Sequence, residues 1–475
     1  MPVNEWIEKI DDLVWGPWML VLLLGTGIYL TIRLRFLNIR RLGFALKCAF
    51  GLEDGRREKK TGETGRRGKA GKSGRVSSFS SLTTELAATI GTGNILGVST
   101  AMVLGGPGAL FWMVAASVTG MATKLVESTL AVKYRGRNEK GQVAGGPMYV
   151  MERAFPNRRI GHLLAVSFAL FAVCASFGMG NMTQANSIAD ALLVTFGVPK
   201  AKSGLIFTIL TILVVLGGIG SIGRVTQFVV PFMGIAYMVG TVAVILFHWK
   251  NIPMAIGGIF TAALSPQAVS GGLFGQVTAS AFQSLRWGVS RGIFSNEAGL
   301  GASGISAAAA DTEDYIKQGY ISMTGVFLDT VVICTATGLA LAASGVLGAT
   351  DSAGNPLTGT ALTLAAFQSA LGEFGGQFMG ISIVLFAFAT IIGWAYQGER
   401  AFEFLLGGRV KYNLLYRFLY GLVAFAGCIC PLQIVWSLSD ICNGLMAVPN
   451  LICVLALSGG ICKELQRRDK NFLFD

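Results

Sequence analysis

The chain has 475 residues, of which 52% are hydrophobic and only 13% charged, with a formal net charge of +12. Soluble domains carry roughly twice that charge fraction, so the composition excludes an ordinary soluble enzyme and points to a polytopic membrane protein. The positive charge is no nucleic-acid footprint, because it gathers between apolar runs, as the cytoplasmic loops of membrane proteins do.

Apolar length predicts about eleven spans, near 13–32, 80–103, 109–132, 161–196, 204–222, 225–247, 272–291, 319–345, 374–406, 411–429 and 434–462. The first is long and followed by a basic tract, so it is not read as a cleavable signal. Residues 53–75 are rich in Gly, Lys and Arg and predict a solvated linker, either setting orientation or meeting anionic lipid. If this tract is cytoplasmic, the amino terminus lies outside, and an odd number of spans leaves the carboxyl terminus in the cytoplasm. Lys463, Arg467, Arg468 and Lys470 agree, as do the basic residues of 133–159. The expected location is the inner (plasma) membrane of the cell. Residues 252–264 are too short to span and predict an external interfacial or re-entrant helix, and 302–310 an alanine-rich cytoplasmic one.

The second span carries Gly91-Thr92-Gly93-Asn94 near mid-depth. Two glycines relax a helix there, and Asn94 is a poor helix-interior residue that both donates and accepts. The freed backbone groups need partners, since hydrocarbon offers none. One reading is a discontinuous helix that binds anions at a half-helix N-terminus and cations at exposed carbonyls. The other is a packing groove for a neighbouring helix. A dinucleotide fingerprint is excluded, because the spacing is wrong and no strand–turn–helix surrounds it. In the seventh span, residues 281–288, with Phe282, Gln283 and Arg286, mark a possible second break at the corresponding place.

Ionisable residues inside spans default to functional hypotheses. Glu85, Lys124, Glu127, Asp190, Asp329, Glu399 and Asp440 are the cases, each either a structural ion pair or a coupling residue. Lys124 and Glu127 are spaced to pair with each other, and Glu85 suits an inner gate or helix anchor. Eight cysteines show no zinc-type spacing and read as buried free thiols. His162 and His248 lie near span ends, and no nucleophile–base spacing occurs, so no enzyme chemistry and no cofactor are expected.

The segments Thr89-Ile90-Gly91-Thr92-Gly93-Asn94-Ile95, Gly145-Gly146-Pro147-Met148-Tyr149 and Arg291-Gly292-Ile293-Phe294-Ser295-Asn296-Glu297-Ala298-Gly299-Leu300-Gly301 carry a resemblance, with Gly393-Trp394 and Gly398-Glu399-Arg400 completing it. In collinear order over nearly the whole chain, they resemble the alanine or glycine:cation symporter family (sodium:alanine symporters). The resemblance implies an all-α fold like that of the bacterial leucine transporter, with two five-helix inverted repeats, one extra N-terminal helix and two discontinuous helices. On that frame residues 1–52 hold the extra helix and 53–78 the linker. Residues 79–248 form the first repeat, 249–271 an external loop, 272–462 the second repeat and 463–475 a cytoplasmic tail.

It further implies inward symport of a small amino acid with sodium by alternating access. The alternative class is a cation or small-solute channel, for broken helices also build filters. The substrate carboxylate then meets the backbone of Gly91, Thr92 and Gly93, and the ammonium meets carbonyls near Ala281 and Phe282. Phe171, Phe177, Phe282 and Trp394 are candidates for the apolar wall, with Gln283 beside them. Gln184, Asn186 and Asn181 either bridge helices or line the path. By resemblance one sodium site joins the carbonyls of Ala87, Ile90 and Ala387 to the Thr390 hydroxyl. Ile391 lacks the second hydroxyl of that pattern, Thr390 can equally back-bond within its helix, and Asn94 stands where a second cation site has its amide ligand. The expected partners are a small amino acid, sodium and membrane lipid.

Overall fold

The computed structural model describes residues 3–52, 76–264, 268–269, 278–279, 281–430 and 432–471. The linker expected over 53–75 and the opening of the expected seventh span, 272–277, lie outside the described residues.

The helices in chain order are α1 (Val3–Val14), α2 (Pro17–Arg33), α3 (Leu37–Arg40), α4 (Leu42–Ala49), α5 (Ser78–Thr89), α6 (Leu96–Leu104), α7 (Ala109–Lys133), α8 (Pro147–Ala154), α9 (Arg158–Phe177) and α10 (Thr183–Phe196). They continue as α11 (Lys200–Leu216), α12 (Gly218–Phe247), α13 (Ile252–Leu264), α14 (Ala281–Asn296), α15 (Ala302–Ala308), α16 (Tyr315–Val326), α17 (Thr335–Ser344), α18 (Gly359–Leu405), α19 (Asn413–Ile429) and α20 (Leu432–Asn471). A two-residue hairpin pair, Gly136–Arg137 with Val143–Ala144, interrupts them after α7. The fold is therefore all-α.

Among the described residues, eight helical runs are long and apolar enough to cross a membrane, nine if the bent pair α5–α6 is one span. Two of the eleven expected spans fall short. Helix α11 has 17 residues and α14 only 16, whereas an upright crossing needs about 20. Other boundaries move for local reasons. Gly218, at φ 63°, separates α11 from α12, so that turn precedes the expected 222–225. Helix begins at Gly359, inside the segment expected as a loop, and kinks at Gly372, whose φ is 61°. The expected tail from 463 is helical through Asn471.

The ends of the helices gather on two faces. On one, Arg41 pairs with Asp469, Lys133 with Glu464 at 2.5 Å, and Arg468 with Asp314 at 2.7 Å. On the other, Trp112 donates to the Ala263 carbonyl at 3.1 Å, Asn251 to that of Ala343 at 2.8 Å, and Arg286 pairs with Asp12. We call the first the basic face. Between them helices approach through small residues, as membrane helices do without a hydrophobic drive to associate. A Cβ on Gly393 would stand 2.6 Å from the Ala88 nitrogen, and one on Gly288 2.3 Å from the Ala109 carbonyl oxygen. Those two contacts fix α18 on α5 and α14 on α7.

Candidate functional site

Helix α5 stops at Thr89 because Ile90 (ψ 88°) and Gly91 (φ −138°, ψ −152°) leave helical space. One 3₁₀ turn follows, Thr92–Asn94, before α6 resumes at a 58° bend to α5. Asn94 stabilises this turn twice. Its side-chain oxygen accepts from the Gly91 N–H at 2.8 Å, and its amide nitrogen donates to Asp329 Oδ1 at 2.7 Å. The Thr92 hydroxyl donates to Gln184 Oε1 at 2.8 Å, so Gln184 does reach the break. The first N–H groups of a new helical turn lack intrahelical partners, and here they lie at the buried centre of the molecule.

The second break is not where the sequence placed it. Helix α14 runs unbroken through 281–288, and Gly288 serves packing against α7. The chain leaves helix at Glu297 (φ 57°), Gly299 (φ 93°) and Gly301 (φ 85°), then resumes as α15. Left-handed φ costs little for glycine and more for a glutamate. Helix α15 was expected as a cytoplasmic surface segment. All of its residues are buried, and it forms the half of this second discontinuous helix that lies toward the basic face. Phe282 and Gln283 consequently sit exposed at the head of α14, Phe282 at 52%, and not at a break.

The two breaks face each other. A Cβ on Gly93 would lie 3.1 Å from Ser295 Cα and 3.4 Å from Phe294 Cδ1. Ser295 Oγ donates to Asp329 Oδ2 at 2.9 Å, and the Thr330 hydroxyl donates to the same oxygen at 2.8 Å. Asp329 thus gathers Asn94 from the first broken helix and Ser295 from the second. It projects from a π-helical turn, Phe327–Cys334, inserted between α16 and α17. A second π turn, Gly178–Met182, precedes Gln184. Such turns occur often at functional sites, because they displace side chains from the α register.

The residues expected around sodium are brought together in part. Ala87, Ile90, Ala387 and Thr390 are all buried. The Thr390 hydroxyl back-bonds to the Phe386 carbonyl at 3.1 Å and also lies against Gly91, where a Cβ would stand 2.1 Å from it. Trp394 is wholly buried, and a Cβ on Gly180 would fall 2.5 Å from its side chain. Phe177 instead joins an aromatic group with Tyr416 (5.3 Å) and Tyr420 (5.7 Å) on α19. Asn181 and Asn186 bridge helices, donating to the carbonyls of Tyr420 and Gly427 at 2.6 and 3.0 Å.

Lys124 and Glu127 do not pair with each other. Lys124 Nζ lies 3.4 Å from Glu85 Oε1 and donates to the Asn296 carbonyl at 3.0 Å and to Ser303 Oγ. Glu127 accepts from Asn450 and, at 3.4 Å, from the Gly299 N–H. Helix α7 therefore holds both ends of the second break. Asp190, Glu399 and Asp440 form ion pairs with Lys200, Arg400 and Arg291.

A cavity of about 730 Å³ lies along α6 on the side away from the basic face, lined by Leu96, Gly97, Thr100, Asn186, Arg291 and Thr360. Toward the basic face the two half-helices are tied together. Val76 pairs with Ala310 as a parallel bridge, and Ser81 Oγ donates to the Ser306 carbonyl at 2.9 Å.

The model of the sodium:alanine symporter family matches residues 1–472. The chain belongs to that family. Relatives of this symporter include the sodium/alanine symporter AgcS of Methanococcus maripaludis, 47% identical over 96% of this chain and 95% of its own. An uncharacterized transporter of Haemophilus influenzae is 44% identical over 98% and 96%. The protein named probable sodium/glutamine symporter GlnT of Bacillus subtilis is 36% identical over 94% and 87%. The symporter is accordingly a membrane transporter coupling amino-acid movement to sodium, and not an enzyme. The sequence did not indicate that Ser295 and Thr330 would meet Asp329 and Asn94 between the two breaks. The one available signal was the position of Ser295 inside the highly specific 291–301 segment, beside residues unsuited to a helix.

Proposed function

We propose that the chain carries a small amino acid, alanine or one of similar size, inward with sodium by alternating access. One observation carries this reading: two interrupted helices meet in the buried interior at the Asp329 carboxylate, which takes hydrogen bonds from both. Half-helix N-termini suit the substrate carboxylate, and the break at Gly91, Thr92 and Gly93 would offer them where the carboxylate replaces the Asn94 and Gln184 oxygens that hold the Gly91 and Thr92 N–H groups here. The oxygens of Asp329, Ser295 and Thr330 suit a hard cation, which would balance that charge. A second cation fits the carbonyls of Ala87, Ile90 and Ala387 with the Thr390 hydroxyl. Trp394 against Gly180, with Gln184 beside them, would close the site on a short side chain and exclude longer ones.

The cavity toward the non-basic face, with the Val76–Ala310 tie on the other, fits an outward-facing state. In this reading the basic face is cytoplasmic, the amino terminus is outside, and residues 79–248 and 272–462 act as inverted halves. Uptake of alanine into proteoliposomes under imposed sodium or proton gradients tests the coupling. Saturable uptake driven by sodium alone is expected, and flux with no fixed sodium ratio would favour a channel. A protease-accessible tag near Gly62 should be cut only from the cytoplasmic side; cleavage in intact cells would reverse the orientation.

A further inference from the structure

Among the described residues, the cluster around the second break holds more carboxyl groups than its one lysine can pair with. Glu85, Glu127 and Glu297 are all buried there with Lys124. Buried charge without a partner is expensive, so a surplus of carboxylates calls for mobile cations. The three are not equally satisfied. Glu127 has two N–H donors, and Glu297 accepts from Ser303 at 2.9 Å. Among the described residues neither oxygen of Glu85 accepts a well-aligned hydrogen bond, and the cation beside it is Lys124, 3.4 Å from Oε1.

Other unpartnered polar atoms stand beside it. Ser322 of α16 faces the Glu85 carboxylate and is its hydroxyl neighbour across the α5–α16 contact. Gln318, one turn earlier in α16 and so on the same stripe, is fully buried with both side-chain polar atoms unpartnered. Ser128, one turn beyond Lys124 in α7, also has an orphan hydroxyl. From Glu85 these groups step toward the basic face, since α5 and α16 both rise from it and α7 descends to it. Native interiors leave few such groups without a partner. Carboxylate, hydroxyl and amide oxygens are the ligands of hard cations, and a single carboxylate suits a monovalent one.

We propose that Glu85, with Ser322 and Gln318, forms a further sodium site on the basic side of the breaks, a station on the ion's way out. The inference rests on the sodium-coupled reading above. It also gives Lys124 a function. Lys124 touches both broken helices, Glu85 on α5 and Asn296 and Ser303 at the second break. Sodium arriving at Glu85 competes with Lys124 and leaves the lysine wholly with the second broken helix. Ion passage thereby loosens one inner half-helix from the other.

The test counts bound radiolabelled sodium on the full detergent-purified chain, with sodium as the only probe and no amino acid added. Glu85→Gln is expected to bind one sodium fewer than the parent chain. The pair Ser322→Ala with Gln318→Leu keeps the Glu85–Lys124 contact and should raise the half-saturating sodium of one component at least about fivefold, some 1 kcal/mol. Unchanged number and half-saturation in both variants overturn the site while leaving sodium coupling in place. If Glu85→Gln yields no folded protein, the double variant decides by the same criterion. A parent chain that binds no sodium overturns the coupling reading together with this one.

Discussion

At the scale of single residues, Thr390 is the clearest case of two readings meeting in one atom. Its hydroxyl back-bonds within α18, the common fate of a helical threonine, yet it also abuts Gly91 at the break. An oxygen can hold both roles, because a hydroxyl that donates to a carbonyl still has lone pairs for a cation. Thr390→Val keeps the shape and removes the oxygen. The half-saturating sodium for uptake should rise about tenfold, the equivalent of roughly 1.4 kcal/mol, with amino-acid selectivity unchanged. An identical sodium curve would leave the hydroxyl to its helix. Gly93 is different from what its position in a break suggests. Its φ is not in the left-handed region, so glycine is needed there for closeness to Ser295 and Phe294 and not for backbone freedom. Gly93→Ala should push the second broken helix away by a few tenths of an ångström and weaken alanine binding to purified protein. Normal affinity, with only the melting temperature lowered, would assign Gly93 to packing alone.

At the scale of elements, the first break was legible in the sequence and the second was misplaced, for one physical reason. Gly91-Thr92-Gly93-Asn94 interrupts an apolar run on both sides, so counting apolar length reveals it. The second break lies at 297–301, beyond the end of the apolar window, where polar Ser295, Asn296 and Glu297 read as the end of a span. Burial of α15 by α5, α7 and α18 makes that polar stretch interior, and no local pattern announces it. Asp329 stood out as an ionisable residue inside a span, but its partners were illegible for a related reason. Its partners Asn94 and Ser295 lie 235 and 34 residues away, and a π turn sets its direction. The misplacement is itself testable. Gly288 lies in the segment taken for a break, yet a Cβ there would meet the Ala109 backbone oxygen at 2.3 Å. Backbone cannot swing aside as a side chain can, so Gly288→Ala should overpack the α7–α14 contact and cost about 1–3 kcal/mol. The expected result is a lower melting temperature with sodium and alanine affinities intact in the folded fraction. A selective loss of alanine binding would return the site to 281–288. Lys124→Met acts on the neighbouring cluster and leaves buried carboxylates facing no lysine. A loss of about 3–5 kcal/mol in stability is expected, measured by thermal melting at saturating sodium.

At the scale of the whole molecule, the proposed alternating access requires the tie on the basic face to open. Residues 79–89 and 302–310 converge there from opposite halves of the chain, and the bridge between Val76 and Ala310 is backed by Arg135. That guanidinium donates to the carbonyls of Ala308 (3.0 Å), Ala310 (2.6 Å) and Thr312. The arrangement caps the end of α15 and fastens it to the start of α5 in one knot. Neighbouring strands lie about 4.8 Å apart, within the Cα separation that a disulfide accepts. Val76→Cys with Ala310→Cys should therefore cross-link under oxidation without distorting the fold. If the basic face must part to release the amino acid, the oxidised protein will bind sodium and alanine from the cavity side yet transport nothing. Reduction should then restore uptake. The eight native cysteines require a parallel measurement on the parent chain under the same oxidant. Full uptake by the cross-linked protein would show that the ion and the amino acid leave by another route, and the outward-facing reading of this knot would fall with it.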